Sequence, residues 1–525
     1  MGSQNDNKMK AITTRFQREE PNHSRKVKRP AIFSSPTTQF SIVSLSFYSL
    51  LTISTSGFAG ESLDTHIPDT HIEISAVENE AANDPPPPAK TATEEYPNKS
   101  YLIPIADIVG FDFLLNQFNR RYSGVSDYDS NFSTIKKNLR SSWVEDRDAF
   151  KINQLGHPYQ GSMYHGFARS AGLNYWESLG YTIAGSAFWE IAGEKVPPSK
   201  NDMISTGIGG TFLGEALFRM SNIVLEKGGS QPSAWREVGA AIISPATGFN
   251  RYAFGDRFDA IFNRNDAAYY SRTQFGISNT IQSDKGTSRK DIKENDAQLE
   301  FSMDYGLPGQ DGYSYTRPFD YFVFQGAASS ANVFENVLVR GLLFGTDYKL
   351  GESYRGIWGL YGSYDYISPQ TFRVSSTALS LGTTGQLWLS ESVALQGSVL
   401  GGLGYAAVGT LSGNDEQDYR YGVAPQALVA LRLIMGNKAS IDFTGREYFV
   451  KDVDSGNAGG HDNIIRSDLA FTYRIHKKHA VSLKYQWNQR DASYLNAGDG
   501  KQTTGTIGIF YTFLGHDGFG ATDWR

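Results

Sequence analysis

No cysteine occurs among the 525 residues. That excludes a disulfide scaffold, a Cys-ligated zinc module and a cysteine-nucleophile enzyme, while metal sites built from His and carboxylate survive the filter. Long hydrophobic runs are scarce as well. Mean hydropathy is −0.39 and charged residues make up 20%, so neither a stack of transmembrane helices nor a disordered polyelectrolyte fits. A basic excess is also missing: 49 Lys and Arg stand against 55 Asp and Glu, a formal charge of −6, which leaves no electrostatic footprint for nucleic acid. What the chain does have is aromatics, 13%, and 54 glycines, above the ~7% Gly of average usage.

Position divides this composition. Residues 1–30 carry eight basic side chains, from Lys8 to Arg29, against Asp6, Glu19 and Glu20. An apolar stretch, Phe40 to Ile53, follows, and then the small residues Gly57-Phe58-Ala59. A basic region, an apolar region and an A-x-A-like end read as an export signal over 1–59. Its removal leaves 41 basic against 52 acidic groups, a net −11. Residues 60–100, with Pro85-Pro86-Pro87-Pro88, read as an extended linker that supplies no core.

From 101 to 260 the period is helical. One helix is expected over 162–193, with apolar residues three and four apart, and a second from Ser199 to Lys227, with Ser199 and Asp202 placed as a capping box. Gly172, Gly180, Gly185, Gly207, Gly210 and Gly214 are expensive in helices, at roughly 1 kcal/mol each, and suggest close backbone packing like the small-residue seams of membrane helices. Charged residues lie among these apolar ones: Glu177, Glu190, Glu194, Glu215 and Arg219. Glu215 and Arg219 are four apart, as an intrahelical ion pair requires. A polar site between the helices, joined by His157 and His165, is the sharper reading. The His positions match no H-E-x-x-H signature and no G-x-S-x-G elbow is present, so no metal and no cofactor is expected.

From 261 to 525 the period switches to two. Ile465, Ser467, Leu469, Phe471, Tyr473 and Ile475 alternate with Arg466, Asp468, Ala470, Thr472 and Arg474. Twelve such segments, joined by short turns such as Lys477-Lys478 and longer polar loops, predict an antiparallel transmembrane β-barrel with an apolar lipid face and a polar lumen. Arg432, Asp442, Arg446, Arg466, Asp468, Arg474, Lys484 and Arg490 fall on the lumen face and carry both signs, which favours an internal salt-bridge network over a selective channel.

Residues His157-Pro-Tyr-Gln-Gly-Ser-Met-Tyr, Arg169-Ser-Ala-Gly172, Trp189-Glu190, Glu194, Pro198-Ser-Lys-Asn-Asp202, Gly209-Gly210 and Gly214-Glu215 together resemble the uncharacterised bacterial family known as domain of unknown function 3943, over roughly Trp143 to Asn222. The resemblance implies a Gram-negative envelope protein of undetermined activity and brings no catalytic residues with it. The expected molecule is therefore a mainly β outer-membrane barrel preceded by a helical module. That module is expected to plug the lumen or sit beneath it on the periplasmic side, in a structural or transport role touching outer-membrane lipid and small solutes or envelope lipids. A lipid-active barrel enzyme, with His157 or His165 as base and Glu190, Glu194 or Asp202 orienting it, is the alternative. A periplasmic scaffold or assembly factor is the third.

Overall fold

The computed structural model describes residues 99–228, 232–258, 267–285, 295–369, 372–410, 416–452, 459–494 and 498–525. The expected export signal and nearly all of the expected linker lie outside these residues. Twelve antiparallel strands close into one barrel: β1 Tyr269–Lys285, β2 Asn295–Tyr305, β3 Phe322–Ser329, β4 Asn336–Leu350, β5 Tyr354–Ile367, β6 Val374–Trp388, β7 Val393–Gly409, β8 Tyr419–Met435, β9 Ala439–Asp452, β10 Gly460–His476, β11 His479–Tyr494 and β12 Gly498–Leu514. Every strand pairs with its sequence neighbours, and β1 closes on β12. Closure leaves no sheet edge to satisfy in hydrocarbon. The turns 351–353, 389–392, 436–438 and 477–478 are short and gather at one end, the arrangement that marks the periplasmic side of such barrels.

The two faces are told apart by contacts across the lumen. Arg432 on β8 reaches Asp304 on β2 at 2.8 Å, and Arg446 on β9 donates to Gln325 on β3 at 2.9 Å. Each pair is six strands apart around the ring, a separation only the interior bridges. Lys484 on β11 pairs with Glu300 on β2 at 2.5 Å, and the Tyr448 hydroxyl on β9 donates to Asp365 on β5 at 2.7 Å. Neighbouring positions of opposite parity, among them Phe275, Leu381, Leu403, Phe443, Phe471, Leu483 and Ile509, are exposed and form the apolar lipid belt.

Among the described residues, eight α-helices precede the barrel: α1 Ile103–Tyr122, α2 Phe132–Asn138, α3 His157–Ser170, α4 Tyr175–Phe188, α5 Lys200–Ile204, α6 Gly210–Glu226, α7 Ala234–Ile243 and α8 Pro245–Phe254. The helix expected over 162–193 breaks after Ser170. Gly172 takes φ +90°, and Asn174 caps α4 reciprocally with Glu177, whose carboxylate also meets Lys99 at 2.7 Å and so is not a core charge. Ser199 caps α5 by accepting from the Asp202 N–H at 3.2 Å. The expected return contact from Asp202 is not the one seen; its side chain turns to Asn201 instead. The glycine seam is real but is built on Gly161, Gly210 and Gly214. A Cβ at Gly161 would overlap the Thr206 carbonyl, and one at Gly214 would press on Ser162 and His165.

The module is not a plug. It lies on the outer wall of the barrel. Phe212 of α6 fills the space over Gly362, and Gly209 sits against Tyr364 and Thr377. Trp176 stacks on Phe344 at 5.1 Å, and Phe150 meets Tyr419 edge-on at 5.4 Å. Phe301, Met303, Phe322, Phe324, Val337 and Val339, all on the outward parity of β2–β4, are buried in one core with Leu213, Leu217, Met220 and Val224 of α6. The contact runs from the Glu416 carbonyl, which accepts from Phe150 N–H at 2.8 Å, down to Asp320 at the short-turn end, which pairs with Arg219 at 3.2 Å. The short-turn mouth is covered instead by residues after β12. Gln386 and Gln396 on the lumen face donate to the Thr522 and Gly520 carbonyls at 2.6 and 2.7 Å, and Phe519 is buried against Tyr270 and Leu307.

Candidate functional site: an acidic cluster at the module–wall seam

Three π-helical segments interrupt the module: Ile152–Gly156, Trp189–Gly193 and Ser205–Gly209. Widened turns of this kind concentrate at functional sites. The first ends at His157, the second contains Glu190, and the third begins three residues after Asp202. These side chains converge: one ring nitrogen of His157 and one oxygen each of Glu190 and Asp202 lie within 4.8 Å of one another, all three residues buried.

The surrounding hydrogen bonds orient the carboxylates while leaving each an oxygen to spare. Ser199 N–H donates to Glu190 Oε2 at 2.8 Å. Asn201 Nδ2 donates to Asp202 Oδ1 at 3.0 Å and to the Tyr421 hydroxyl of β8 at 2.7 Å. Asn153 Nδ2 links Asp146 to the Tyr419 hydroxyl, both at 2.9 Å. Thus wall tyrosines anchor the site to the barrel. Glu194 stands beside it, accepting from Trp189 Nε1 at 2.9 Å, and Asp146 and Asp148 line its half-buried rim.

Charge is unbalanced here. Among the described ion pairs, none joins a Lys or Arg to Glu190, Glu194 or Asp202. Burial, then repulsion from Glu194 and Asp202, pushes Glu190 well above the carboxylate range. Burial and Asp146 do the same to Asp202, and burial pulls His157 down. Burial also brings Asp148 to about 6.

His165 belongs elsewhere. Its Nε2 lies 3.0 Å from Glu215 Oε2, and Glu215 also takes Arg169 at 2.7 Å and Arg219 at 2.8 Å. Burial opposes ionisation of Glu215, but Arg169, His165 and Arg219 hold its carboxyl well below the usual range. The expected Glu215–Arg219 pair is therefore present, inside a satisfied network that packs α3 on α6. Of the five side chains offered for acid–base work, the structure unites His157, Glu190 and Asp202, sets Glu194 adjacent and separates His165. The partners that sequence reasoning missed are Asp146, Asn201 and the tyrosines of β8. Asn201 adjoins Asp202 and was within reach of a reading that asked what orients that carboxylate.

Of the lumen candidates, Arg432 and Asp442 pair at 2.7 Å, Arg466 and Asp468 at 3.3 Å, and Arg446 and Lys484 cross the lumen. Arg474 sits at the rim, donating to the Asp517 carbonyl. Arg490 pairs with Asp462 at 2.6 Å. Cavities of about 90, 70 and 30 Å³ remain between these side chains, room for a few waters.

Residues 142–246 match the family model of a domain of unknown function, DUF3943. The match covers the π segments, the acidic cluster and the Glu215 network. No curated protein matches the chain. Among solved structures, the NanC porin aligns over 46% of this chain and 98% of its own, at 9% identity and a TM-score of 0.24. The outer membrane channel DcaP of Acinetobacter baumannii covers 47% of this chain and 97% of its own, at 9% identity and 0.21. The TodX monoaromatic hydrocarbon channel covers 53% and 94%, at 9% identity and 0.21. The barrel rests on its own strand pairing and exposed apolar belt. The chain is a closed twelve-stranded barrel of outer-membrane type, and the module on its wall resembles DUF3943 over residues 142–246.

Proposed function

We propose that this protein is a closed outer-membrane barrel acting as a scaffold, which holds the DUF3943 module against its lipid-facing wall and presents it to outer-membrane lipid. The observation that carries the reading is parity: every wall residue beneath the module has the opposite facing to the residues that bridge the lumen. The module's far side supports it. Leu102, Ile105, Val109, Phe113 and Leu114 at and along α1 are exposed, as are Trp235 at 84% and Tyr252 at 91%, an apolar surface suited to hydrocarbon and headgroups. No described helix is long and apolar enough to cross a membrane. Export through residues 1–59 is part of the same reading.

The absence of native cysteine makes the test simple. Nitroxides placed by Phe113→Cys and Trp235→Cys in the reconstituted protein are expected to relax with oxygen and be shielded from a neutral nickel chelate. Equal access to both reagents overturns the reading. A second reading, a lipid-active enzyme, is favoured by the convergence of His157, Glu190 and Asp202. Loss of lipid products in His157→Ala, with the nitroxide pattern unchanged, is its expected signature.

A further inference from the structure

We propose that His157, Glu190 and Asp202 form a divalent-cation site, taking a first-row ion such as Zn²⁺ or Mn²⁺. The ligand set is one imidazole and two carboxylates, a mixture suited to these ions and not to the all-oxygen shells of Ca²⁺ or Mg²⁺. An ion bonded at about 2.0–2.2 Å wants its ligands roughly 3–4 Å apart, and a spread of at most 4.8 Å reaches that with small side-chain movements.

An observation independent of the cluster's charge points to a ligand. His157 is only 6% exposed, yet its Nδ1 has no hydrogen-bond partner, an arrangement that is costly unless something else satisfies the group. Glu190 lies inside one π segment, while His157 directly follows a second and Asp202 precedes the third by three residues.

The outer shell is that of a metal site as well. Ser199 N–H and Asn201 Nδ2 each occupy one carboxylate oxygen and leave the other, fixing ligand orientation as outer-shell partners do. Asp146, Asp148 and Glu194 add negative charge with no described Lys or Arg pair to offset Glu190 and Asp202. A bound dication supplies the compensation the protein lacks. Three protein ligands also leave a position for water or a substrate oxygen.

The site does not depend on where the module sits relative to lipid. The test uses the full chain in detergent, stripped with EDTA and titrated with Zn²⁺ against a chromophoric chelator, then with Mn²⁺ for pulsed EPR. Wild type is expected to bind one tight equivalent. Glu190→Gln and Asp202→Asn, which keep shape and hydrogen bonding, are expected to lose at least tenfold in affinity, as is His157→Ala. Bound Mn²⁺ is expected to show imidazole ¹⁴N modulation that His157→Ala removes. Near-UV dichroism of the full chain, which reports the packing of the module's aromatic side chains, confirms that each variant folds. If His157→Ala fails to fold, the two isosteric variants decide. Wild-type affinity in Glu190→Gln and Asp202→Asn, or Mn²⁺ bound without ¹⁴N modulation, overturns the proposal and leaves the nitroxide result untouched.

Discussion

Glu215 shows what a buried charge does when its partners are complete. Its two oxygens take Arg169, Arg219 and His165, and Arg219 goes on to Asp320 of the barrel, so one carboxylate ties α3, α6 and the wall together. Glu215→Gln leaves two guanidinium groups short of a counter-charge, and breaking a buried pair costs roughly 3–5 kcal/mol. We expect that loss in denaturant unfolding of the module followed by near-UV dichroism. The sign of the pH effect follows from the same contacts. Glu215 is held below its unfolded value, so its contribution is complete above the ordinary carboxylate pKa of about 4.3 and is lost as pH falls through the folded value. Glu215→Gln is expected to be less acid-sensitive than wild type over that range. Spacing in the sequence made Glu215 and Arg219 legible because both lie on one helix. His165 and Arg169 enter from α3, and Asp320 from the loop before β3, contacts that only tertiary packing creates. The same holds for His157, Glu190 and Asp202, which were legible as residue types embedded in an apolar pattern but not as one cluster.

At the scale of elements, α3 and α6 approach until backbone meets backbone. A Cβ at Gly161 overlaps the Thr206 carbonyl and approaches the Gly210 Cα, and neither neighbour is a side-chain end that yields. Gly161→Val is therefore expected to spread the helices and cost about 1–3 kcal/mol by overpacking; it should also raise the nickel accessibility of a label at Phe113→Cys as the module loosens. Unchanged unfolding and unchanged accessibility would remove the seam from the account. The sequence signalled small residues through Gly210 and Gly214, yet Gly161 lies before the segment where helical period was strongest. The broken helix has an equally local cause. Apolar spacing continues across 171–174 while Gly172 at φ +90° and the Asn174 cap end it, so turn chemistry overrides periodicity. All twelve strands were legible because alternation is a property of each strand alone. The location of the module was not. Phe322, Phe324, Val337 and Val339 face outward and are apolar, as they would be against either lipid or a helix, and the two environments select the same residues.

For the whole molecule, that ambiguity becomes a prediction. The lumen is crossed by Arg432 to Asp304, Arg446 to Gln325, Lys484 to Glu300 and Tyr448 to Asp365, and its short-turn mouth is covered by residues 515–525 through Thr522 and Gly520. None of these groups belongs to the helical module. Removing residues 143–260 therefore opens nothing, and the wall thereby uncovered is apolar enough to meet lipid directly. In planar bilayers we expect wild type and the module deletion to be equally silent and both barrels to stay heat-modifiable. Deleting residues 516–525 alone is expected to change little, because the charged layers above still cross the lumen. Stepwise conductance is expected when that deletion is combined with Arg432→Ser, Arg446→Ser and Lys484→Ser, and it should fall short of a porin's because Tyr448–Asp365 and Arg490–Asp462 persist toward the long-loop end. Current that appears on removing the module alone would mean that helices on the outer wall control the lumen, and the closed-scaffold reading would have to be abandoned.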